Sequence, residues 1–141
     1  MNYTDEVRVL YSDTDAYGVV WHGAYVKWLE KGRVELSEKL GLPLEELERQ
    51  GVTFPVVELN IRYKSSALFN ERILIETSIQ EVKQTTITFS HKVTEKETGK
   101  VRILASSTIV AIDTEGKLYK KLPENIYNCF ANALKEELKV N

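Results

Sequence analysis

Cysteine is nearly absent: Cys129 stands alone in 141 residues, so no disulfide can close within the chain. That is compatible with a reducing compartment. Cys129 falls in a helical pattern with no histidine near it in sequence, which favours a small buried hydrophobe over a nucleophile. Long apolar runs are also missing. None approaches the ~20 residues of a membrane span, and the first stretch, MNYTDEVRVLYSDTD, is too polar for a signal peptide. Glycine-rich phosphate cradles are missing, since neither GxxxxGK[ST] nor GxGxxG occurs. Histidine and cysteine do not cluster at metal-ligand spacing, so neither a metal nor another cofactor is expected. Excess charge of one sign is lacking too. The 19 basic and 21 acidic residues leave a formal net charge of −2, which gives no global reason to bind nucleic acid or a membrane surface. These absences point to a cytoplasmic protein. A composition of 43% hydrophobic and 28% charged residues fits one globular domain over 1–141.

What is present is a change of periodicity along the chain. In EVRVLY (6–11), Val7, Val9 and Tyr11 alternate with Glu6 and Arg8, which predicts a short strand. Over about 22–40, Tyr25, Trp28, Leu29, Gly32, Leu36 and Leu40 recur at spacings of three and four, the stripe of a long amphipathic helix. Gly32 lies within that stripe, where its missing side chain would allow close approach to a sheet. Gly41 and Pro43 end the helix, and 43–50 fits a short second one. Alternation then takes over. Val57, Leu59, Ile61 and Tyr63 oppose Glu58, Asn60 and Arg62; Ile73, Ile75 and Ile79 oppose Arg72, Glu76 and Gln80; Ile87, Phe89, His91 and Val93 oppose Thr86, Thr88, Ser90 and Lys92. VRILASSTIVAID is apolar throughout, as in a strand covered on both faces. ETGK (97–100) and DTEGK (113–117) are turns. From Pro123 a helix with the stripe Ile126, Phe130, Leu134 and Leu138 closes the chain. The expected plan is α+β: an antiparallel five-stranded sheet wrapped around a long central helix, with a C-terminal helix.

Chemistry concentrates in YSDTDAYGVVWHGAY (11–25), just before the long helix. A helix start carries unpaired N–H groups and about half a positive charge. A carboxylate there is either a cap or a reactive group beside a site that stabilises negative charge on a substrate oxygen. Asp15 lies several residues ahead of the helical pattern, which suits a simple cap poorly. The intervening AYGVVWH is apolar and aromatic, suited to a cleft wall.

The same stretch resembles the D-T-D-x-x-G-x-V-x-H-x-x-Y signature of hotdog-fold acyl-CoA thioesterases, in particular the 4-hydroxybenzoyl-CoA thioesterase-like family, which includes bacterial enzymes associated with the Tol–Pal system. IRYKSSALFNERILIETSI (61–79) is similar to that family's Y-x-x-P-A-x-x-G-D-x-L segment, with Ser66 in place of proline and Asn70-Glu71 in place of Gly-Asp. The resemblance implies a hotdog fold and hydrolysis of an acyl-CoA to a free acid and coenzyme A. It makes Asp15 the catalytic carboxylate, either nucleophile or general base, and gives the His22 backbone N–H the task of polarising the thioester carbonyl. The His22 ring would orient Asp15 or the substrate, or pack at a subunit interface. Gly18 would let the chain turn against the substrate. Tyr17, Val19, Trp21 and Tyr25 are candidate walls, although Tyr25 also falls on the apolar helix stripe. Arg62 and Lys64, with Lys83, Lys92 and Arg102, are candidates for the coenzyme A phosphates. Asp13 is read as turn-stabilising and His91 as structural. The resemblance further implies a homodimer or homotetramer with sites shared between subunits.

Two rival enzymes fit poorly. A haloacid-dehalogenase-type phosphatase also has D-x-D after a first strand but needs alternating βα units. The H-F-P type signature of hotdog dehydratases is not seen. A non-catalytic acyl-CoA-binding or assembly module with the same fold is the alternative function, against which the retained Asp15 argues.

Overall fold

The computed structural model describes residues 2–140. The chain forms β1 (Asn2–Arg8), a single 3₁₀ turn (Tyr11–Asp13), α1 (His22–Lys39), α2 (Leu44–Arg49), β2 (Val56–Tyr63), β3 (Arg72–Val82), β4 (Thr86–Glu95), β5 (Val101–Val110) and α3 (Glu124–Val140). The five strands make one antiparallel sheet in the order β1-β3-β4-β5-β2. The helix-wrapping α+β plan read from the periodicities is therefore the observed one.

The inward residues are those of the alternation. Ile73, Ile75 and Ile79 on β3 and Ile87, Phe89 and Val93 on β4 are buried against Tyr25, Trp28, Leu29 and Leu36 of α1. Full burial of a side chain such as Leu29 or Leu36 contributes about 1.5–3 kcal/mol. At Gly32 α1 lies close on the sheet: a Cβ there would stand 2.1 Å from Thr77 Oγ1. Beyond Lys39 the helix ends in a Schellman motif. Gly41 takes the left-handed conformation (φ 93°), its N–H meets the Glu38 carbonyl, and the Leu42 N–H meets that of Ser37. α2 and α3 then cover the other half of the core, with Leu47, Ile126 and Phe130 packed on Ile87 and Phe89.

Four local expectations are corrected. The first strand covers 2–8 rather than 6–11, and Tyr11 opens the 3₁₀ turn, 81% exposed. Pairing with β3 stops at Arg8↔Arg72, because the chain preceding β3 reverses at Asn70 (φ 69°). β2 has no buried face: Val56, Val57, Leu59 and Tyr63 are exposed and only Ile61 is half-buried. α1 lies over β1, β3 and β4, so the β2 edge is left without a cover. The outer face of β5 is only partly covered, with Leu104 exposed, because no helix crosses that side. On α3, Leu138 is 67% exposed, and Ala133 is the buried residue of that turn region.

A polar column runs beneath α1. His91 is 2% exposed; its Nε2 is 2.8 Å from Ser107 Oγ and its Nδ1 3.3 Å from Thr77 Oγ1. The Arg33 guanidinium reaches Ser107 Oγ at 3.4 Å. Burial, and then the Arg33 charge, push the His91 pKa down to about 3, so the ring is neutral and structural, as its strand position suggested. The stability sign follows. The unfolded histidine takes its proton below about pH 6.5, whereas the folded one stays neutral until about 3. Stability is full above the unfolded pKa and falls as pH drops through that window, by up to about 1.4 kcal/mol per pH unit from this group. Urea unfolding at pH 7 and pH 4.5 should show that loss, and His91→Gln should flatten it. An unchanged slope in the variant would remove His91 as its cause.

Candidate active site

The segment between β1 and α1 is built from short polar turns. In the 3₁₀ turn, Asp13 Oδ2 accepts the Leu10 N–H at 2.8 Å, and the Thr14 hydroxyl donates to the Tyr11 carbonyl at 2.7 Å. The Asp13 carbonyl accepts the Trp21 N–H at 3.0 Å. Asp13 is thus a turn-stabilising residue. A tight loop follows. The Asp15 N–H meets the Val19 carbonyl at 2.9 Å, the Gly18 N–H returns to the Asp15 carbonyl at 3.0 Å, and Thr14 bridges to Val20. Asp15 Oδ1 accepts the N–H of Tyr17 at 2.8 Å and, more weakly, that of Val19 at 3.4 Å. One carboxylate oxygen therefore fixes the loop, while Oδ2 has no hydrogen-bond partner among the described residues.

The loop is pinned to the segment after β2. Val20 donates to the Ala67 carbonyl at 2.9 Å, and Val19 bridges to Leu68. Trp21, in extended conformation, precedes α1 and supplies no side-chain cap. The N–H groups of the first helical turn thus face the loop without a side-chain acceptor, and with them the positive end of an 18-residue helix. The Trp21 indole folds back over that turn. A Cβ on Gly23 would sit 1.9 Å from the ring, so a larger residue there would push the exposed Trp21 indole aside.

Asp15, Val20, Trp21, His22, Tyr25, Tyr63, Ser65 and Ser66 line one groove of about 550 Å³. Of the residues expected from the sequence, Asp15, Trp21, His22 and Tyr25 are brought together here. Gly18 shapes the loop tip with φ 80°. Tyr17 points to solvent (91% exposed), and Val19 is half-buried against Leu68; neither lines the groove. Arg62 and Lys64 flank Tyr63 on the strand and its exit, are exposed, and also lie outside it. Sequence reasoning did not place Tyr63, Ser65 or Ser66 in the site, although Tyr63 and Ser66 fall in the segment similar to the family's Y-x-x-P-A. Their signal was position, immediately after a strand whose end must meet the helix start.

Arg102 is not a free phosphate ligand. It is 7% exposed, and its guanidinium donates to Glu71 Oε2 at 2.6 Å and to Ser65 Oγ at 3.0 Å. Lys83 stands 3.5 Å from Glu81 at an exposed turn. Cys129 is half-buried, its thiol directed at the Leu40 carbonyl at 3.4 Å, and burial pushes its pKa up, which disfavours the thiolate. Among the described residues no cluster of histidine, cysteine, aspartate or glutamate could hold a metal ion, and no helix is long and apolar enough to cross a membrane.

A five-stranded antiparallel sheet around a long helix, with a carboxylate at the open helix start, defines a hotdog-type protein. The chain belongs to the Thioesterase-like superfamily, which it matches over residues 9–130. A putative esterase of Synechocystis is 36% identical over 118 residues, 83% of this chain and 71% of that protein. The putative acyl-CoA thioesterase YneP of Bacillus subtilis is 32% identical over 110 residues, 78% of this chain and 79% of its own length. The DHNA-CoA thioesterase of Staphylococcus aureus shares the fold with a TM-score of 0.90 at 22% identity, covering 99% of this chain and 95% of that one.

Gly18 offers a direct check on the loop. A Cβ there meets nothing within 4 Å, so substitution costs only the left-handed backbone. Gly18→Ala should lose about 1–2 kcal/mol, and Gly18→Asn less, because asparagine tolerates that region. Thermal unfolding of the two variants measures the difference; equal losses would refute the backbone origin.

Proposed function

We propose that the protein hydrolyses an acyl-CoA thioester to a carboxylic acid and coenzyme A. One observation carries the reading: Asp15, with Oδ1 held by its own loop and Oδ2 open, shares a groove with the uncapped start of α1. The carboxylate either attacks the thioester carbonyl or draws a proton from a water that does so. The carbonyl oxygen gains negative charge as the tetrahedral intermediate forms. The His22 N–H, at the positive end of α1, is placed to receive it. Collapse expels the coenzyme A thiolate. A thiol of pKa near 8.5 needs no strong acid to leave. The relatives named for acyl-CoA thioester chemistry support the substrate class.

The working form in this reading is a homo-oligomer. β2 is a sheet edge with unpaired backbone groups and exposed Val56, Val57 and Leu59. Pairing with the same edge of a second copy about a twofold axis is isologous and closes both edges into one sheet. Because the strands then run antiparallel, the Tyr63 end of one copy, with its groove, meets the Val56 end of the other. Beside that end an apolar cavity of about 370 Å³ opens between α1 and α2, lined by Leu42, Leu47, Val52 and Phe54 among others. It is suited to the acyl part of a substrate held by the neighbouring groove.

Release of thiol from a panel of acyl-CoA esters tests the chemistry. Wild type should turn over at least one ester, and Asp15→Asn should lose at least about 10²-fold in kcat while still binding it. Full activity in the variant would remove Asp15 from the reaction. Tight binding without turnover in wild type would favour an acyl-CoA-binding module instead.

The assembly has its own test. Leu59→Asp puts a charge from each copy near the axis, so light scattering should show a dimer or larger species for wild type and a smaller one for the variant. A wild-type monomer at micromolar concentration would refute the shared edge.

A further inference from the structure

Tyr25 was expected as a wall residue, yet its hydroxyl is placed for more than packing. The residue is 2% exposed, with its ring edge-on to Trp28 and Tyr63. Its phenolic oxygen accepts the Ala67 N–H at 2.9 Å. A phenol has one donor hydrogen besides its acceptor capacity. The Ala67 bond uses only the acceptor side, and no described residue accepts the hydrogen. The hydrogen is therefore free to meet an acceptor that enters the groove Tyr25 lines.

Two independent observations locate that acceptor. Tyr25 lines the groove with Asp15 and His22, and it stands one helical turn after His22, on the same face of α1. Long side chains on a helix lean toward its N-terminus, which carries the Tyr25 hydroxyl back to the level of the first turn. Ala67 confirms this placement from the other side: the residue whose N–H holds the phenol has its carbonyl on the Val20 N–H, two residues before the helix. The hydroxyl is thus tied through Ala67 to the segment that leads into α1, within the groove that also holds His22.

We propose that the Tyr25 hydroxyl is a second hydrogen-bond donor to the thioester carbonyl oxygen, acting with the His22 N–H. This rests on the thioesterase reading above. No proton is transferred; the bond tightens as negative charge grows on that oxygen and relaxes when the thiolate leaves. Burial raises the phenol pKa, so the hydrogen is retained across the working range and the group acts as a donor and not as a base. The Ala67 N–H keeps the oxygen fixed, which is the preorganisation such a donor needs.

The test separates donation from anchoring. Tyr25→Phe keeps the ring and removes the hydroxyl; kcat should fall about 10²-fold, the usual cost of one such donor, with KM changed little. Because Phe also loses the Ala67 anchor, a series of ring-fluorinated tyrosines at position 25 is the second arm. These keep the hydroxyl that Ala67 holds while grading its acidity, so kcat should vary with phenol acidity. The third arm is the infrared carbonyl stretch of a ¹³C-labelled acyl-CoA bound to Asp15→Asn, which should move to higher frequency when Tyr25→Phe is added. Wild-type turnover with no response of kcat to fluorination and no shift of the carbonyl band would overturn the proposal and leave the thioesterase reading standing. Absence of turnover in wild type on every ester would overturn both.

Discussion

The helix start is held in place by Ala67. This fully buried residue grips both sides of the groove: its N–H binds the Tyr25 hydroxyl from α1, and its carbonyl binds the Val20 N–H from the incoming loop, each at 2.9 Å. The segment carrying it is itself braced. Arg102 on β5 joins Ser65 on one side to Glu71 on the other, and Glu71 Oε1 accepts the Leu68 N–H at 2.8 Å. The buried charge of Arg102 is tolerable because a carboxylate and a hydroxyl meet it. The groove geometry is thus inherited from the rigid sheet through two side chains and one peptide, which is how a surface loop becomes a precise site.

A second constraint sets where the helix lies along the sheet. Thr77 Oγ1 occupies the space a side chain at Gly32 would need, and it is tied to His91 and through it to Ser107. These hydroxyls and the neutral imidazole satisfy one another in a region too close to α1 for larger apolar side chains. The helix is drawn down at Gly32, and its N-terminal half, ten residues upstream, is presented at the level of the 65–71 segment. Core packing and site geometry are in this sense one problem. The same seating leaves β2 outside the shadow of α1.

Much of this was legible in the residues. Strong periodicity over long segments located α1, β3 and β4, because there each inward position meets a helix and each outward one meets water. Where that condition fails, so does the pattern. Val57, Leu59 and Tyr63 alternate like a buried face, but α1 reaches that sheet edge only at its Tyr63 end, through Tyr25, and leaves Val57 and Leu59 exposed in the single chain. Val7, Val9 and Tyr11 keep alternating after the strand has ended, since Val9 N–H bonds the Glu71 carbonyl and the chain then leaves the sheet. Asn70-Glu71 looked like a departure from the family's Gly-Asp. It preserves the same physics: asparagine is among the few residues at ease with φ 69°, and the glutamate still carries the carboxylate that Leu68 and Arg102 require. The turn role of Asp13 was legible from its local setting, and its carboxylate does accept the Leu10 N–H. The binding of Arg102 to Glu71, in contrast, is a long-range contact that no local spacing announces.

Asp15 and His22 are both exposed in the single chain, in a groove open to water. A hydrolase gains from excluding bulk solvent, because hydrogen bonds from the helix start to a developing oxyanion strengthen as the local dielectric falls. The uncovered apolar edge beside Tyr63 and the open groove are therefore one deficiency seen twice. On the proposed pairing, the second copy would cover the edge and wall the groove in the same contact. The exposed Val56, Val57 and Leu59 then stop being anomalies of strand patterning. On that reading they are the part of the pattern written for a partner: apolar residues at an edge, beside the groove that holds Asp15.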